Sequence, residues 1–182
     1  MMDHRSCSAA LPDAAQRVRS VFEHSWTAYE HVAYGADELL PLSNRSRDNW
    51  GGLAVTMIDA LDTMLLMGHD AHYNRAVQWL TAHLPRRIAE GGDVPFFEVT
   101  IRALGGLLGA HTLSGNADVL RLAAQLGRAL LPALASSPSG IPFCTVHLAT
   151  GHASCPETDL GESIPLSELG SVQLELDRKS VV

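Results

Sequence analysis

Apolar residues recur every three or four positions along most of this chain, and turn residues interrupt the pattern at intervals. From Asp13 to Tyr34, Val18, Phe22, Trp26, Tyr29 and Ala33 share one helical face, which Gly35 ends. Tyr34 to Asp48 contains Gly35, Pro41, Ser43 and Asn44 and reads as a loop. Trp50 to Met67 is apolar almost all round and predicts a second helix, closed by Gly68. Asn74 to Leu84 is amphipathic through Val77, Leu80 and Leu84, with Pro85 as its expected end. Pro95 to Leu113 is another all-round apolar helix, stopped by Ser114-Gly115. Asn116 is placed to cap the next, which runs to about Leu134 with Leu120, Ala123, Leu126 and Leu130 inward. Ser136 to Pro165 is rich in Ser, Pro, Gly and Thr around a β-prone stretch, Ile141 to Leu148, and Ser167 to Leu176 begins a last helix.

Amphipathic helices thus alternate with helices that are apolar on every side, and the latter must be buried. Outer amphipathic helices around inner apolar ones predict an all-α fold, an α/α barrel or an array of helical hairpins. The inner helices carry acids inside apolar sequence, Asp59 and Asp62 in one and Glu98 in the other, so a polar pocket is expected between them.

A length of 182 residues bounds the chain to about one domain. Its hydrophobic content of 46% and charged content of 18% describe a globular protein without a disorder signature. A net charge of −7 and a pI near 5.6 argue against nucleic acid or an anionic membrane as the main partner. No run of about 18 apolar residues predicts a membrane span. Met1 to Cys7 lacks the apolar core of a signal peptide. Three cysteines, Cys7, Cys144 and Cys155, predict neither a disulfide framework nor a zinc site, although a Cys144–Cys155 bridge stays open.

Glu98 is the most informative single residue. A carboxylate in so apolar a helix is either an internal ion pair with Arg102, four residues on, or one wall of an active site. Burial would push its pKa up and Arg102 would pull it down, which is how a general acid is tuned. Helical geometry puts Glu98, Arg102, Gly105 and Gly109 on one face, where glycines allow close approach to the backbone. Asp59 and Asp62 lie three apart and either pair locally or accept hydroxyls of a polyhydroxylated ligand. His69-Asp70-Ala71-His72 could in principle bind a metal, but it follows a helix end and is expected in a solvated turn; His147 and His152 are expected at the surface without a third ligand. No phosphate loop, nucleophile elbow or paired cysteine motif is present.

Several stretches resemble the family 47 glycoside hydrolases, the class I α-1,2-mannosidases. They are Tyr34-Gly35-Ala36-Asp37-Glu38-Leu39-Leu40-Pro41, Trp50-Gly51-Gly52 leading into Ile58-Asp59-Ala60-Leu61-Asp62-Thr63, and Phe97-Glu98-Val99-Thr100-Ile101-Arg102. Gly140-Ile141-Pro142-Phe143 and Ser167-Glu168-Leu169-Gly170-Ser171-Val172-Gln173-Leu174-Glu175 continue the likeness in order, so that it covers about Val18 to Leu176. The resemblance implies the first three helix pairs or so of an (α/α)7 barrel that removes α-1,2-linked mannose from high-mannose N-glycans with inversion, using Ca²⁺. It implies Glu98 as proton donor, Arg102 as a substrate contact, and Asp59, Glu168 and Glu175 as acids lining the pocket. It further implies a parent protein of the endoplasmic reticulum or Golgi.

The family's catalytic base and its calcium-anchoring threonine belong to later motifs, which are not found here. Residues 1–12 read as an N-terminal tail, 13–176 as the opening part of the catalytic barrel, and 177–182 as a non-family tail left by a truncated gene model. Two other readings stand beside the processing mannosidase. One is the degradation-enhancing mannosidase-like group, which shares much of the motif set, and the other is a non-catalytic helical glycan-binding module.

Overall fold

In the computed structural model, residues 11–155 and 165–177 are described, with side chains from residue 13 onward. The first helix, α1 (Leu11–Val32), buries Trp26 and Tyr29 near its C-terminal end and leaves residues 13–21 exposed. The segment read as a loop after it contains a short antiparallel hairpin, β1 (Glu38–Leu40) with β2 (Arg45–Arg47), in which Glu38 lies opposite Arg47.

The second predicted helix starts later than its apolar pattern suggests and is broken in two. α2 (Val55–Asp59) and α3 (Leu61–Met67) meet at Ala60. Gly51, Gly52 and Ala54 all have positive φ, so Trp50 to Ala54 is a turning segment that cannot be helical. After the turn at Gly68, α4 (Asp70–Glu90) runs through Pro85, where the sequence predicts an end. Pro85 withholds one N–H from the helix. Leu84 and Ile88 bury on either side of it and keep the helix going.

Strand β3 (Asp93–Pro95) leads into the second inner helix, which has three parts: α5 (Phe96–Glu98), a π-helical turn (Val99–Leu104) and α6 (Gly105–Ser114). A turn at Gly115 connects to α7 (Ala117–Leu130), capped by the Asn116 side chain accepting from the Asp118 N–H at 2.9 Å, and then to α8 (Pro132–Ala135). Strands β4 (Thr145–His147) and β5 (Ala153–Ser154) form an antiparallel hairpin that β3 joins at its edge, Val94 opposite Val146. α9 (Leu166–Ser171) and α10 (Gln173–Leu176) close the described part. Residues 178–182 of the expected tail and residues 1–10 lie outside the described residues.

The packing is two αα hairpins side by side: α3 packs on α6 and α4 on α7, while α3–α4 and α6–α7 are the hairpins themselves. Leu61, Met64, Leu80, Leu84, Leu107, Leu122 and Leu126 fill the space between them with no exposed surface. Inner and outer helices are therefore assigned as the apolar pattern predicts. The inner pair comes very close: a Cβ on Gly106 would lie 3.0 Å from the Ile58 carbonyl oxygen, so any side chain there would require the facing backbone to give by a few tenths of an ångström.

The bridge that the sequence left open is formed, and three histidines depart from the sequence reading. Cys144 and Cys155 form a disulfide across the β4–β5 hairpin, with 4.8 Å between Cα atoms. Antiparallel pairing sets the two residues opposite each other, which spacing alone does not reveal. His69 and His72 are not in a solvated turn; their side chains are only 17% and 14% exposed because α1 folds over them. His147 sits in β4 with its Nδ1 buried, whereas His152 is exposed as expected.

Candidate active site

Glu98 is positioned by a backbone relay. The β3–β4 pairing ends at Pro95, and the Phe96 N–H then donates to the Cys144 carbonyl at 2.8 Å. The disulfide-closed hairpin thus holds the first turn of the inner helix, two residues before Glu98. The Thr100 hydroxyl donates to the Phe96 carbonyl at 2.7 Å and is fully buried, tying that turn to the next. Between Val99 and Leu104 the helix widens to i→i+5 bonding, a departure often found at functional sites.

Across this turn Arg102 Nε donates to Glu98 Oε2 at 2.7 Å. The pair is not sealed in the core, since the Glu98 side chain is 31% and that of Arg102 44% exposed. The pair with Arg102 is thus formed, but at a partly open position of the helix. Arg102 also reaches Asp59 at the end of α2 (3.8 Å) and lies 5.7 Å from the Trp50 ring centroid. Burial raises the Asp59 pKa above the ordinary carboxylate value; Arg102 opposes the shift and Asp62 adds to it. Asp62 takes the Thr63 hydroxyl at 3.2 Å and lies against Gly109, where a Cβ would stand 3.4 Å from Oδ2.

Asp37 organises the other side, and sequence reasoning assigned it no role. It is wholly buried. Oδ2 accepts the Trp50 and Gly52 N–H groups, both at 2.8 Å, and Oδ1 accepts that of Val55 at 3.1 Å. One carboxylate therefore holds the whole turning segment ahead of α2. The Asp37 N–H in turn donates to Asp48 Oδ1 at 3.0 Å, and Arg87 Nη1 donates to the carbonyls of Gly35 and Gly52. The available signal was weak, an aspartate just after Gly35-Ala36 and fourteen positions before a Gly-Gly pair. Trp50, fixed in this way, donates its indole N–H to Glu38 Oε1 at 3.3 Å.

The outcome is a cleft of about 200 Å³ lined by Asp37, Glu38, Trp50, Thr56, Asp59 and Arg102. Carboxylates, a hydroxyl, a guanidinium and an indole edge suit a polyhydroxylated ligand, because each hydroxyl can both donate and accept. Of the other predicted acids, Glu175 packs over Gly105 at the end of the π turn, with Oε2 buried and unpartnered among the described residues. Glu168 lies elsewhere, beside Phe96, Phe97 and Phe143. The structure thus gathers Glu98, Arg102 and Asp59, sets Glu175 against the same helix, and leaves Glu168 in a separate groove.

A family model for glycosyl hydrolase family 47 matches residues 21–181. The chain belongs to that family. Mannosyl-oligosaccharide 1,2-alpha-mannosidase MNS3 of Arabidopsis thaliana is 40% identical over 92% of the chain and 28% of its own length. The endoplasmic reticulum mannosyl-oligosaccharide 1,2-alpha-mannosidase of Homo sapiens is 42% identical over 87% of the chain and 22% of its own length. The human ER degradation-enhancing alpha-mannosidase-like protein 2 is 39% identical, over 78% of the chain. Among solved structures, the alpha-1,2-mannosidase from Trichoderma reesei superposes with a TM-score of 0.77 at 31% identity, covering 90% of this chain and 36% of that one. The two hairpins are accordingly part of the (α/α)7 barrel of family 47. The chain spans about a quarter of the length of these curated relatives.

Proposed function

We propose that this chain carries the proton-donor side of an inverting α-1,2-mannosidase site for high-mannose N-glycans. One observation carries the reading: Glu98 stands in the first turn of an inner helix, fixed by Arg102 beside a cleft of acids, hydroxyl and indole. In the reaction Glu98 gives its proton to the glycosidic oxygen as the bond to the anomeric carbon breaks. Inversion also requires a base that activates water about 6.5–9.5 Å from the acid, and this role is assigned to none of the residues described. Arg102 and Asp59 orient hydroxyls of the bound sugar, one donating and the other accepting. Glu175 offers its unpartnered oxygen along the same helix. Glu168 contributes a contact farther out. The matches to processing mannosidases extend over 87–92% of the chain, against 78% for the human degradation-enhancing protein, which favours the first reading.

The family resemblance implies Ca²⁺, but the described residues do not fit it. Ca²⁺ takes six to eight oxygen ligands. The acids around the cleft are already engaged, Asp37 by backbone N–H groups, Glu38 by the Trp50 indole, and Asp59 and Glu98 by Arg102, and the one cluster of three potential ligands among the described residues is rich in histidine nitrogen. No step is assigned to calcium here. Localisation in the secretory pathway, in the endoplasmic reticulum or Golgi, is the matching reading, and the Cys144–Cys155 disulfide supports its coarser part, since such bonds persist in oxidising compartments.

The test is mannose release from a high-mannose N-glycan by the full-length protein that contains this chain. Glu98→Gln is expected to lower kcat by about 10²–10⁴-fold, the range for loss of a general acid, with KM little changed. Undiminished turnover by that variant would remove Glu98 from the chemistry.

A further inference from the structure

Outside the cleft, α1 and α4 bring together side chains that the proposed mannosidase reaction does not use. Glu23 of α1 places one carboxylate oxygen 3.1 Å from His69 Nδ1 and the other 3.1 Å from His72 Nε2. The three ligand atoms all lie within 4.8 Å of one another. In a tetrahedral zinc site, with bonds of about 2.0–2.2 Å, neighbouring ligand atoms are roughly 3.3 Å apart. With either Glu23 oxygen as the ligand, one edge of such a tetrahedron is therefore already close to its final length, and the remaining edges between these atoms are at most 4.8 Å long.

We propose that Glu23, His69 and His72 form a binding site for a first-row transition ion of the Zn²⁺ class, which fastens α1 to the start of α4. Two imidazoles and one carboxylate are a zinc-type donor set and too nitrogen-rich for Ca²⁺ or Mg²⁺. The fourth position faces solvent on the Glu23 side, where the side chain is 47% exposed. The surroundings fix the rings: Phe22 stacks on His69 with centroids 5.2 Å apart, and Trp26 meets His72 edge-on at 6.0 Å. Behind His72, Glu30 Oε1 lies 3.3 Å from Nδ1, the carboxylate–histidine arrangement that orients metal-binding imidazoles.

The ion-free arrangement has a different proton pattern, which sets the affinity. Trp26 Nε1–H donates to His72 Nδ1 at 2.9 Å and Arg75 Nη2 approaches the same atom at 2.6 Å, so Nδ1 accepts and Nε2 carries the proton toward Glu23. Loading moves that proton to Nδ1, facing Glu30. Trp26 and Arg75 then direct their N–H groups to Glu30, which Arg75 already contacts at 2.7 Å. His69 makes the matching change, its proton moving to Nε2, an atom buried without a partner among the described residues. No net proton is released from neutral rings. The unpartnered Nε2–H and the open fourth position make this site weaker than a closed four-ligand structural zinc site.

The test titrates Co²⁺ into the full 182-residue chain, purified metal-free and without a histidine tag, following visible ligand-field absorption, with Zn²⁺ as competitor. One equivalent with a tetrahedral-type spectrum is expected, displaced by Zn²⁺. Glu23→Gln and His69→Gln should each weaken binding tenfold or more, and Glu30→Gln by about tenfold through the lost support of His72. Zn²⁺ should raise the melting temperature of the unaltered chain and not of the Glu23→Gln variant, while His147→Gln behaves as the unaltered chain. Far-UV circular dichroism checks that each variant is folded. If His69→Gln is not, Glu23→Gln decides, because that side chain is half exposed. No saturable binding, or binding that Glu23→Gln leaves unchanged (an adventitious ion only), would overturn the site.

Discussion

Replacing Asp37 with asparagine is a sharp test of how the cleft is built. The buried carboxylate accepts three backbone N–H groups, two on Oδ2 and one on Oδ1, at 2.8–3.1 Å. Asparagine keeps the shape but has one carbonyl oxygen, and its NH₂ must face an N–H wherever it is placed. The better orientation keeps Trp50 and Gly52 satisfied and turns the amide nitrogen toward the Val55 N–H. That loses one charge-assisted bond, weakens two others and leaves a buried donor unpaired; about 2–4 kcal/mol is expected. For a chain of this length such a loss lowers Tm by roughly 5–15 °C. Thermal and urea denaturation followed by circular dichroism would measure it. Asp48→Asn is the control, because the amide oxygen can still accept from the Asp37 N–H, and less than about 0.5 kcal/mol is expected. Indole fluorescence should shift in the Asp37 variant, since Trp50 is held through its own N–H. If Asp37→Asn costs no more than Asp48→Asn, the carboxylate does not organise the turning segment and the reasoning fails.

Two further outcomes follow from charge and cross-linking. Cys155→Ser opens a loop with a sequence separation of 11, for which chain entropy gives about 2.8 kcal/mol of lost stability. Faster amide exchange at Phe96 should accompany it, and an unchanged denaturation midpoint would refute the estimate. The folded-state pKa of Asp59 is raised, chiefly by burial, so between the ordinary carboxylate pKa and that raised value the folded chain binds more protons than the unfolded one. Its stabilising contribution is thus fully present below the ordinary pKa and lost as pH rises through the raised one. The stability of Asp59→Asn relative to the unaltered chain should therefore increase over that window. Parallel pH profiles for the two proteins would show the shift to be absent.

The fold was legible where one helical face decides it. α1 follows its apolar spacing from Trp26 onward while Val18 is exposed, and α7 buries Ala123, Leu126 and Leu130 as expected but turns Val119 and Leu122 inward with Leu120 only partly buried. What the pattern missed depends on partners distant in sequence. The delayed start of α2 rests on Asp37, 18 residues before Val55; the burial of His69 and His72 rests on α1; the disulfide rests on strand register. Pro85 misled because local chemistry predicts a stop while Leu84 and Ile88 are held by tertiary packing. At the site, Glu98 and Arg102 could be paired from spacing alone, and the structure adds Asp59 and Trp50 to that pair. Glu168 shows the limit, because a sequence motif carries no information on which groove its acid will face.

The π turn between Val99 and Leu104 has a consequence for how this helix can change over generations. A π turn amounts to an α-helix with one residue inserted. The wider turn absorbs the extra residue locally, so the helix on either side keeps nearly the facing that a regular helix one residue shorter would have. Deleting one of Val99 to Ile101 would therefore restore regular winding and leave Gly106 against the Ile58 carbonyl, while the loss falls on the turn itself: Glu98 and Arg102 would stand three positions apart instead of four. A shortened descendant would thus alter its charge pair before it altered its helix packing.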